Sequence, residues 1–489
     1  MIPIALRRQA RRAAGRALSP RVRAAGRAVA IRLGVSPAAI ARVAAIAPPP
    51  IVTVGGGPPL VEIDQVVSLW PGADGEGGAS LLNPRLGSIS GVYALDIGGV
   101  VSGQVADVSA VDVRHESTLL RTIPVTPFPL DATGHAAGGR TGGGFRARVG
   151  LVGVPLEFDL SVEAVRADAS RVPLASIRGR RRPVRSGYDP VLRPLMVTAP
   201  GRMGTTWLMR LASEHPAIVA VRTYPYEAKP ARYWLHLVEV LSQPADHLVG
   251  GTTQPVFTQR RTVGANTYYP GPIAPTAPLD AWFGRAYVER LAAFGQQSID
   301  ETYLQVAAAQ GQAASVYFAE KHAPDRIPGL AWELYPDARE VFLIRDYRDV
   351  LSSVLAFNAR RGYDGFGRDG YDSDEAYVRE RLGWSLRRMR DGWQARSGRS
   401  HLIRYEDLIV QPSDTVGALF AYLDLDASEA MVAGVLARAS AENAVLRQHQ
   451  TSDSPAASIG RWRRDLNPAL QAVCADVLGE DLAWFGYDI

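Results

Sequence analysis

The sequence predicts an α/β fold, a parallel sheet flanked by helices, preceded by an antiparallel β-sandwich-like domain and a basic helical N-terminal arm. Three observations lead there. From about 188 to the C-terminus, short apolar runs alternate with helical stretches, the pattern of a parallel sheet with crossover helices. From about 60 to 180, short runs of alternating apolar and polar residues are separated by glycine-rich turns, the pattern of an antiparallel sandwich. The first 50 residues hold ten arginines and no Asp or Glu.

At 489 residues the chain is long for one domain, and three regions are expected: an arm over 1–50, an accessory domain over 60–180 and a larger domain over 188–489. The chain is 47% hydrophobic and 21% charged, the balance of a water-soluble globular protein. No apolar run reaches the roughly 18 residues that span a bilayer. The single Cys474 excludes an intramolecular disulfide and a multi-cysteine metal site, and no metal is expected. These features point to a cytoplasmic protein.

The net charge of +5 conceals an uneven distribution, because the arm carries +10 and the other 439 residues sum to −5. In the arm, Arg7, Arg8, Arg11, Arg12, Arg16, Arg21, Arg23, Arg27 and Arg32 are interleaved with apolar residues at helical spacing. It reads either as a solvated arm or as an amphipathic helix giving peripheral contact with anionic lipid at the inner face of a membrane. No nucleic-acid motif accompanies the charge, so nucleic acid is not an expected partner.

The Pro- and Gly-rich stretch over 47–59 separates the arm from the β-rich region. There, 93–100, 145–151 and 156–163 are strand candidates, the last with faultless alternation. His115 and His135 stand apart as surface or turn residues. Arg178-Gly179-Arg180-Arg181-Arg182-Pro183 reads as a basic joint between domains. Beyond it, strands are expected at 194–199, 218–221, 339–344 and 401–405. Ser298-Ile299-Asp300-Glu301 is expected to cap a helix running towards 311. The Pro-, Gly- and Thr-rich stretch over 242–280 reads as a lid or acceptor-binding loop, or as a plain surface insertion.

Two segments carry chemistry. The first is Pro200-Gly201-Arg202-Met203-Gly204-Thr205-Thr206-Trp207, directly after the apolar run at 195–197. A strand, a glycine-bearing loop and a helix start make an anion cradle, because first-turn amides are unpaired and lie at the positive end of the helix dipole. The Walker lysine slot holds Thr205, and the basic residue, Arg202, precedes the glycine. This is a P-loop-like arrangement suited to a phosphate-bearing ligand rather than to ordinary ATP hydrolysis. The second segment is Arg345-Asp346-Tyr347-Arg348-Asp349-Val350-Leu351-Ser352-Ser353, at the end of an apolar strand. Arg345 and Ser353 can converge on one phosphate across the strand end and two helical turns, whereas Arg345 and Asp349 can instead pair with each other.

The two segments together resemble the sulfotransferase family that uses 3′-phosphoadenosine 5′-phosphosulfate. The resemblance covers about 190–489. It implies that Gly201, Arg202, Gly204, Thr205 and Thr206 hold the 5′-phosphosulfate, with Arg202 as catalytic cation, and that Trp207 stacks on the adenine. It also implies that Arg345 and Ser353 hold the 3′-phosphate. Leu402-Ile403-Arg404-Tyr405-Glu406-Asp407-Leu408 resembles a family segment whose Tyr, here Tyr405, lies near the adenine. Ser458-Ile459-Gly460-Arg461-Trp462 resembles the late segment that adds a cation, here Arg461, to the 3′-phosphate. Met203 and Tyr347 depart from the family's Ser and Pro at their positions.

The resemblance implies transfer of a sulfuryl group from 3′-phosphoadenosine 5′-phosphosulfate, as co-substrate, to a hydroxyl-bearing acceptor. The accessory domain suggests a glycan, glycolipid or similar molecule. Two candidates stand for the base. Glu227 resembles the glutamate after H-P-x-I/V in one branch of the family, and His322 resembles the histidine of K-x-H-x-P in another. Glu227 is preferred, because Lys321 before a near-following Pro also fits the glutamate branch. Lys321 is expected to hold sulfate as a point charge. The competing readings are a P-loop NTPase or kinase, and a non-catalytic carbohydrate-binding protein with a decayed transferase domain.

Overall fold

The computed structural model describes residues 59–70, 77–103, 108–127, 142–244, 281–312, 314–324, 326–440 and 451–489. The arginine-rich arm, His135 and residues 245–280 of the expected lid lie outside the described residues. The chain divides into two compact units. One holds residues 1–185 and 238–291, the other 186–237 and 292–489. None of the described helices is long and apolar enough to cross a membrane.

The first unit is built from antiparallel strands. They are β1 Val61–Ser68, β2 Gly77–Asn83, β3 Ile89–Ser90, β4 Ala94–Gly103, β5 Val108–His115, β6 Thr118–Pro124, β7 Thr126–Pro127, β8 Gly142–Gly150, β9 Glu157–Arg166 and β10 Arg171–Arg181. One sheet runs β3-β1-β10-β9-β5-β6 and the other β2-β4-β8-β7. Along β9 the alternation read from the sequence becomes alternate burial, with Phe158, Leu160, Val162 and Ala164 inside. The sheets meet where Arg121 of β6 donates to the Arg148 carbonyl of β8 at 3.1 Å. His115 is half-buried beside the β5–β6 hairpin turn.

The basic run expected to be a joint is instead the end of β10. Residues 178–181 pair with β1 and β9. Their side chains alternate as a strand requires. Arg178 and Arg180 face outward to Asp159 and Glu62, while Arg181 is buried on the Val154 carbonyl.

The second unit holds an all-parallel sheet of β11 Arg193–Thr198, β12 Ile218–Val219, β13 Tyr317–His322, β14 Arg339–Ile344 and β15 Ser400–Arg404, in the order β12-β13-β11-β14-β15. The first strand is central, so the chain crosses to one side of it and then to the other. That puts the switch point, where ligands bind in such sheets, at the carboxyl end of β11. Helix α1, Thr205–Ser213, follows β11. Helices α2, Pro230–Leu241, and α3, Tyr287–Ala309, come between β12 and β13. After β13 come α4, Gly329–Leu334, and then α5, Tyr347–Arg361, directly after β14. Leu195, Val197, Leu208, Leu211, Phe342, Ile344 and Leu351 are among the buried residues where the sheet meets its helices.

The expected capping box at Ser298 is not a helix start, because α3 begins eleven residues earlier. Ser298 lies mid-helix and its hydroxyl donates to the Phe294 carbonyl at 2.8 Å. A hydroxyl that bonds back to i−4 fits inside a helix as well as at its cap. Strand β13 was absent from the expected strands. It is buried along its whole length, although half of its residues are Glu320, Lys321 and His322. That polarity hides a strand from any apolar-run reading.

Candidate active site

The loop between β11 and α1 turns by left-handed backbone. Arg202 has φ 69° and Gly204 φ 90°. A Cβ on Gly204 would lie 2.5 Å from the Tyr405 ring. Glycine therefore serves both the backbone angle and the close approach. Met203, the departure from the family pattern, is fully buried in the core below the loop. Burying such a side chain contributes about 1.5–3 kcal/mol, so it fastens the loop from beneath where a hydroxyl would not. Helix α1 starts at Thr205 with no side-chain cap and no acid in its first turn. Its start therefore presents amides and positive potential, and Thr205 and Thr206 present hydroxyls half-exposed beside them.

The second segment comes to the same place. Arg345, at the end of β14, donates to the Arg202 carbonyl at 3.1 Å and the Ser458 carbonyl at 2.8 Å. Its guanidinium lies 4.5 Å above the Tyr405 ring, while the Tyr405 hydroxyl is 3.1 Å from Ser458 Oγ. Arg345 Nε is buried and has no hydrogen-bond partner among the described residues. Asp349 does not spend its charge on Arg345 by hydrogen bonding. Its carboxylate accepts the Gly460 and Trp462 amides at 2.7 and 2.9 Å and so holds the late segment in place. Asp346 caps α5 and binds Arg348 through both of its oxygens.

Three cations converge here. Arg202 Nε donates to Ser353 Oγ at 3.0 Å, and its guanidinium stacks 4.4 Å from the Phe357 ring. Ser353 Oγ lies 3.3 Å from Thr451 Oγ1, to which Arg461 donates at 2.9 Å. Burial, with repulsion from Arg345 and Arg461, brings the Arg202 pKa down to about 10. It stays charged at neutral pH. Burial is the larger cause, and the repulsion that adds to it is one an anion would relieve. An orphaned buried guanidinium nitrogen, an uncapped helix start and clustered arginines fit a ligand carrying two anionic groups. Trp207, in the first turn of α1, is partly buried against the core.

On the other side of β11, Lys321 is the penultimate residue of β13, almost wholly buried. Its ammonium group contacts Glu227 Oε1 at 2.7 Å, the Pro225 carbonyl at 2.7 Å and Thr206 Oγ1 at 3.4 Å. It thereby ties the Glu227 segment to the anion cradle. Glu227 is 53% exposed and its second oxygen lies 2.9 Å from Lys229 Nζ. Desolvation pushes its pKa up, but the hydrogen bonds and charges of Lys321 and Lys229 outweigh that and hold it below the ordinary carboxylate value. Burial lowers the Lys321 pKa, against the pull of Glu227. His322 goes elsewhere. Its side chain is fully buried, with Nε2 3.2 Å from Glu320 Oε2 and without hydrogen-bond geometry.

Of the residues singled out from the sequence, Arg202, Gly204, Arg345, Ser353, Tyr405 and Arg461 come together, and Lys321 links Thr206 to Glu227. The reading missed Phe357 and Phe366, the aromatic neighbours of Arg202, and also Thr451 and Lys229. Lys229 had a signal, standing two residues from Glu227. Thr451 had none.

The fold and site define an α/β domain with a P-loop-like loop and clustered arginines at its switch point. Residues 194–429 match the model of the sulfotransferase family, and this part of the chain is a sulfotransferase-family domain. Among solved structures, the sulfotransferase domain of the Synechococcus PCC 7002 olefin synthase is similar at 15% identity, covering 63% of this chain and 100% of that one, with a TM-score of 0.34. Sulfotransferase STF9 from Mycobacterium avium is similar at 20% identity, over 62% of this chain and 79% of that one, with a TM-score of 0.31. Mouse sulfotransferase SULT7A1, complexed with PAP, is similar at 10% identity over 61% and 87%, with a TM-score of 0.33. No curated protein matches the chain.

Proposed function

We propose that the domain transfers a sulfuryl group from 3′-phosphoadenosine 5′-phosphosulfate to a hydroxyl of a glycan, glycolipid or similar acceptor. The observation that carries this reading is the convergence of Arg202, Arg345 and Arg461 from three separate segments beside an uncapped helix start. The donor supplies a sulfuryl group joined to a phosphate leaving group. Amides at the start of α1, with Thr205 and Thr206, hold the 5′-phosphate. Arg345, Ser353 and Arg461 hold the 3′-phosphate, and Arg345 has a buried N–H for it. Trp207 offers a face to the adenine. Tyr405 braces Arg345 and packs on Gly204.

Arg202 stabilises the negative charge that develops as the bond between sulfur and the bridging oxygen breaks, and Lys321 adds a second positive charge nearby. Glu227 accepts the acceptor's proton as the new O–S bond forms. It is an accessible carboxylate beside Lys321, whereas the His322 side chain is fully enclosed.

Two measurements test this together. Calorimetric titration should show preference for adenosine 3′,5′-bisphosphate over ATP–Mg²⁺. Incubation with labelled donor and glycan or glycolipid extracts should give a labelled product, lost in Arg202→Ala. Preference for ATP–Mg²⁺ and no labelled product would sink the reading.

A further inference from the structure

A buried carboxylate stands next to the site without touching it. Glu320 of β13 is fully enclosed. Successive strand residues point to opposite faces of a sheet, so Glu320 and Lys321 leave β13 in opposite directions. Glu320 Oε1 accepts the Ala231 amide at 2.6 Å and Oε2 the Arg232 amide at 3.3 Å. These belong to the first turn of α2, which begins at Pro230, a residue with no N–H. The Tyr303 hydroxyl also donates to Oε1, at 2.7 Å. Lys321, meanwhile, grips the Pro225 carbonyl and Glu227. Two consecutive residues of one strand therefore fasten both ends of the 225–232 segment, and Glu227 stands between the fastenings.

We propose that Glu320 is a positioning residue, which sets where Glu227 stands by anchoring the start of α2. This rests on the reading of Glu227 as the base. A carboxylate suits the place, because it can accept from two first-turn amides and a hydroxyl at once and is favoured at the positive end of a helix. Glutamine keeps the shape but removes the charge. It also sets an NH₂ group against a donor.

The test is hydrogen–deuterium exchange by mass spectrometry on the full chain. In Glu320→Gln, amides over 224–232 should exchange about tenfold or more faster, the loss expected when a hydrogen bond to a charged acceptor is weakened. Affinity for adenosine 3′,5′-bisphosphate should stay within about twofold, since the anion site is untouched, and this also reports that the variant is folded. Tyr303→Phe, which removes one donor and little shape, should speed the same peptide by about threefold. If Glu320→Gln does not fold, Tyr303→Phe carries the test. Faster exchange confined to 231–232, with 224–230 unchanged, overturns the proposal, because a cap that stiffens only its own helix positions nothing. Turnover separates this from the reading beneath it. Glu227→Gln should abolish labelled transfer whatever the exchange result. A Glu227→Gln protein with normal turnover removes the base assignment and leaves the anchoring measured by exchange standing.

Discussion

Gly204→Ala is the sharpest probe of the anion cradle. The backbone there has φ 90°, a left-handed angle that costs an L-residue about 1–2 kcal/mol. The new methyl would also lie 2.5 and 2.7 Å from two Tyr405 ring carbons. The ring cannot swing away cheaply. Its hydroxyl meets Ser458 Oγ and its face lies under Arg345, which in turn bonds the Ser458 carbonyl. Overpacking of this kind adds about 1–3 kcal/mol. The total is about 2–5 kcal/mol, and it falls on both halves of the site at once. Even the lower end weakens binding about 30-fold if it is expressed in the bound loop. If it is expressed in folding, it lowers the Tm by about 4 °C or more. Gly201→Ala is the control. Its methyl would meet only Phe366, a ring 39% exposed that can rotate outward, and no left-handed angle is required. Titration calorimetry with adenosine 3′,5′-bisphosphate and thermal melts of the two variants decide the matter. A Gly204→Ala protein that binds within twofold of wild type and melts at the same temperature refutes the reasoning, and so does a Gly201→Ala protein that is the worse of the pair.

Other outcomes follow from the same geometry. Arg345→Lys should bind adenosine 3′,5′-bisphosphate about tenfold or more weakly, since an ammonium cannot span the Arg202 and Ser458 carbonyls and still offer a donor to a phosphate; equal affinity in a titration would count against that role. Met203→Ser, which would restore the family's hydroxyl, should destabilise the domain by about 2–5 kcal/mol through the cavity it leaves in a fully buried position, read by denaturant unfolding. The pH–rate profile tests Glu227. Its pKa is depressed, so the carboxylate stays ionised as pH falls, and the acid limb of kcat/KM should lie below 4.5. Replacing Lys229 by Met removes one of the groups that depress it and should move that limb upward. A limb near 6.5, where free imidazoles titrate, points to a histidine base instead.

The second unit's sheet was readable where its strands are apolar. The run 339–344 is the observed β14 residue for residue, and 194–199 and 401–405 are each displaced by one residue from β11 and β15. β13 escaped because its buried positions are filled by Glu320, Lys321 and His322, and the groups that Glu320 and Lys321 meet on α1, α2 and α3 lie far along the chain or on other elements. Burial of a charged residue is a property of what surrounds it, and no local pattern records that. The arginines at 178–182 erred in the other direction. Charge suggested a linker, whereas the strand alternation of exposed and buried arginines appeared only with β1 and β9 alongside.

By itself the sequence determined the two segments proposed to bind anions. Glycine in a tight loop, a helix start directly after it and arginine at a strand end are local facts of backbone and side-chain chemistry. Only the tertiary structure decided what each charged group does once neighbours are present. It gave Met203 to the core and Asp349 to two backbone amides. It enclosed His322 against Glu320, and it left Glu227 exposed between two lysines. The reason is physical. Spacing along the chain fixes which groups lie near one another within an element. The side of the sheet a residue reaches, and whether water reaches it there, is fixed by strands and helices that arrive from elsewhere along the chain.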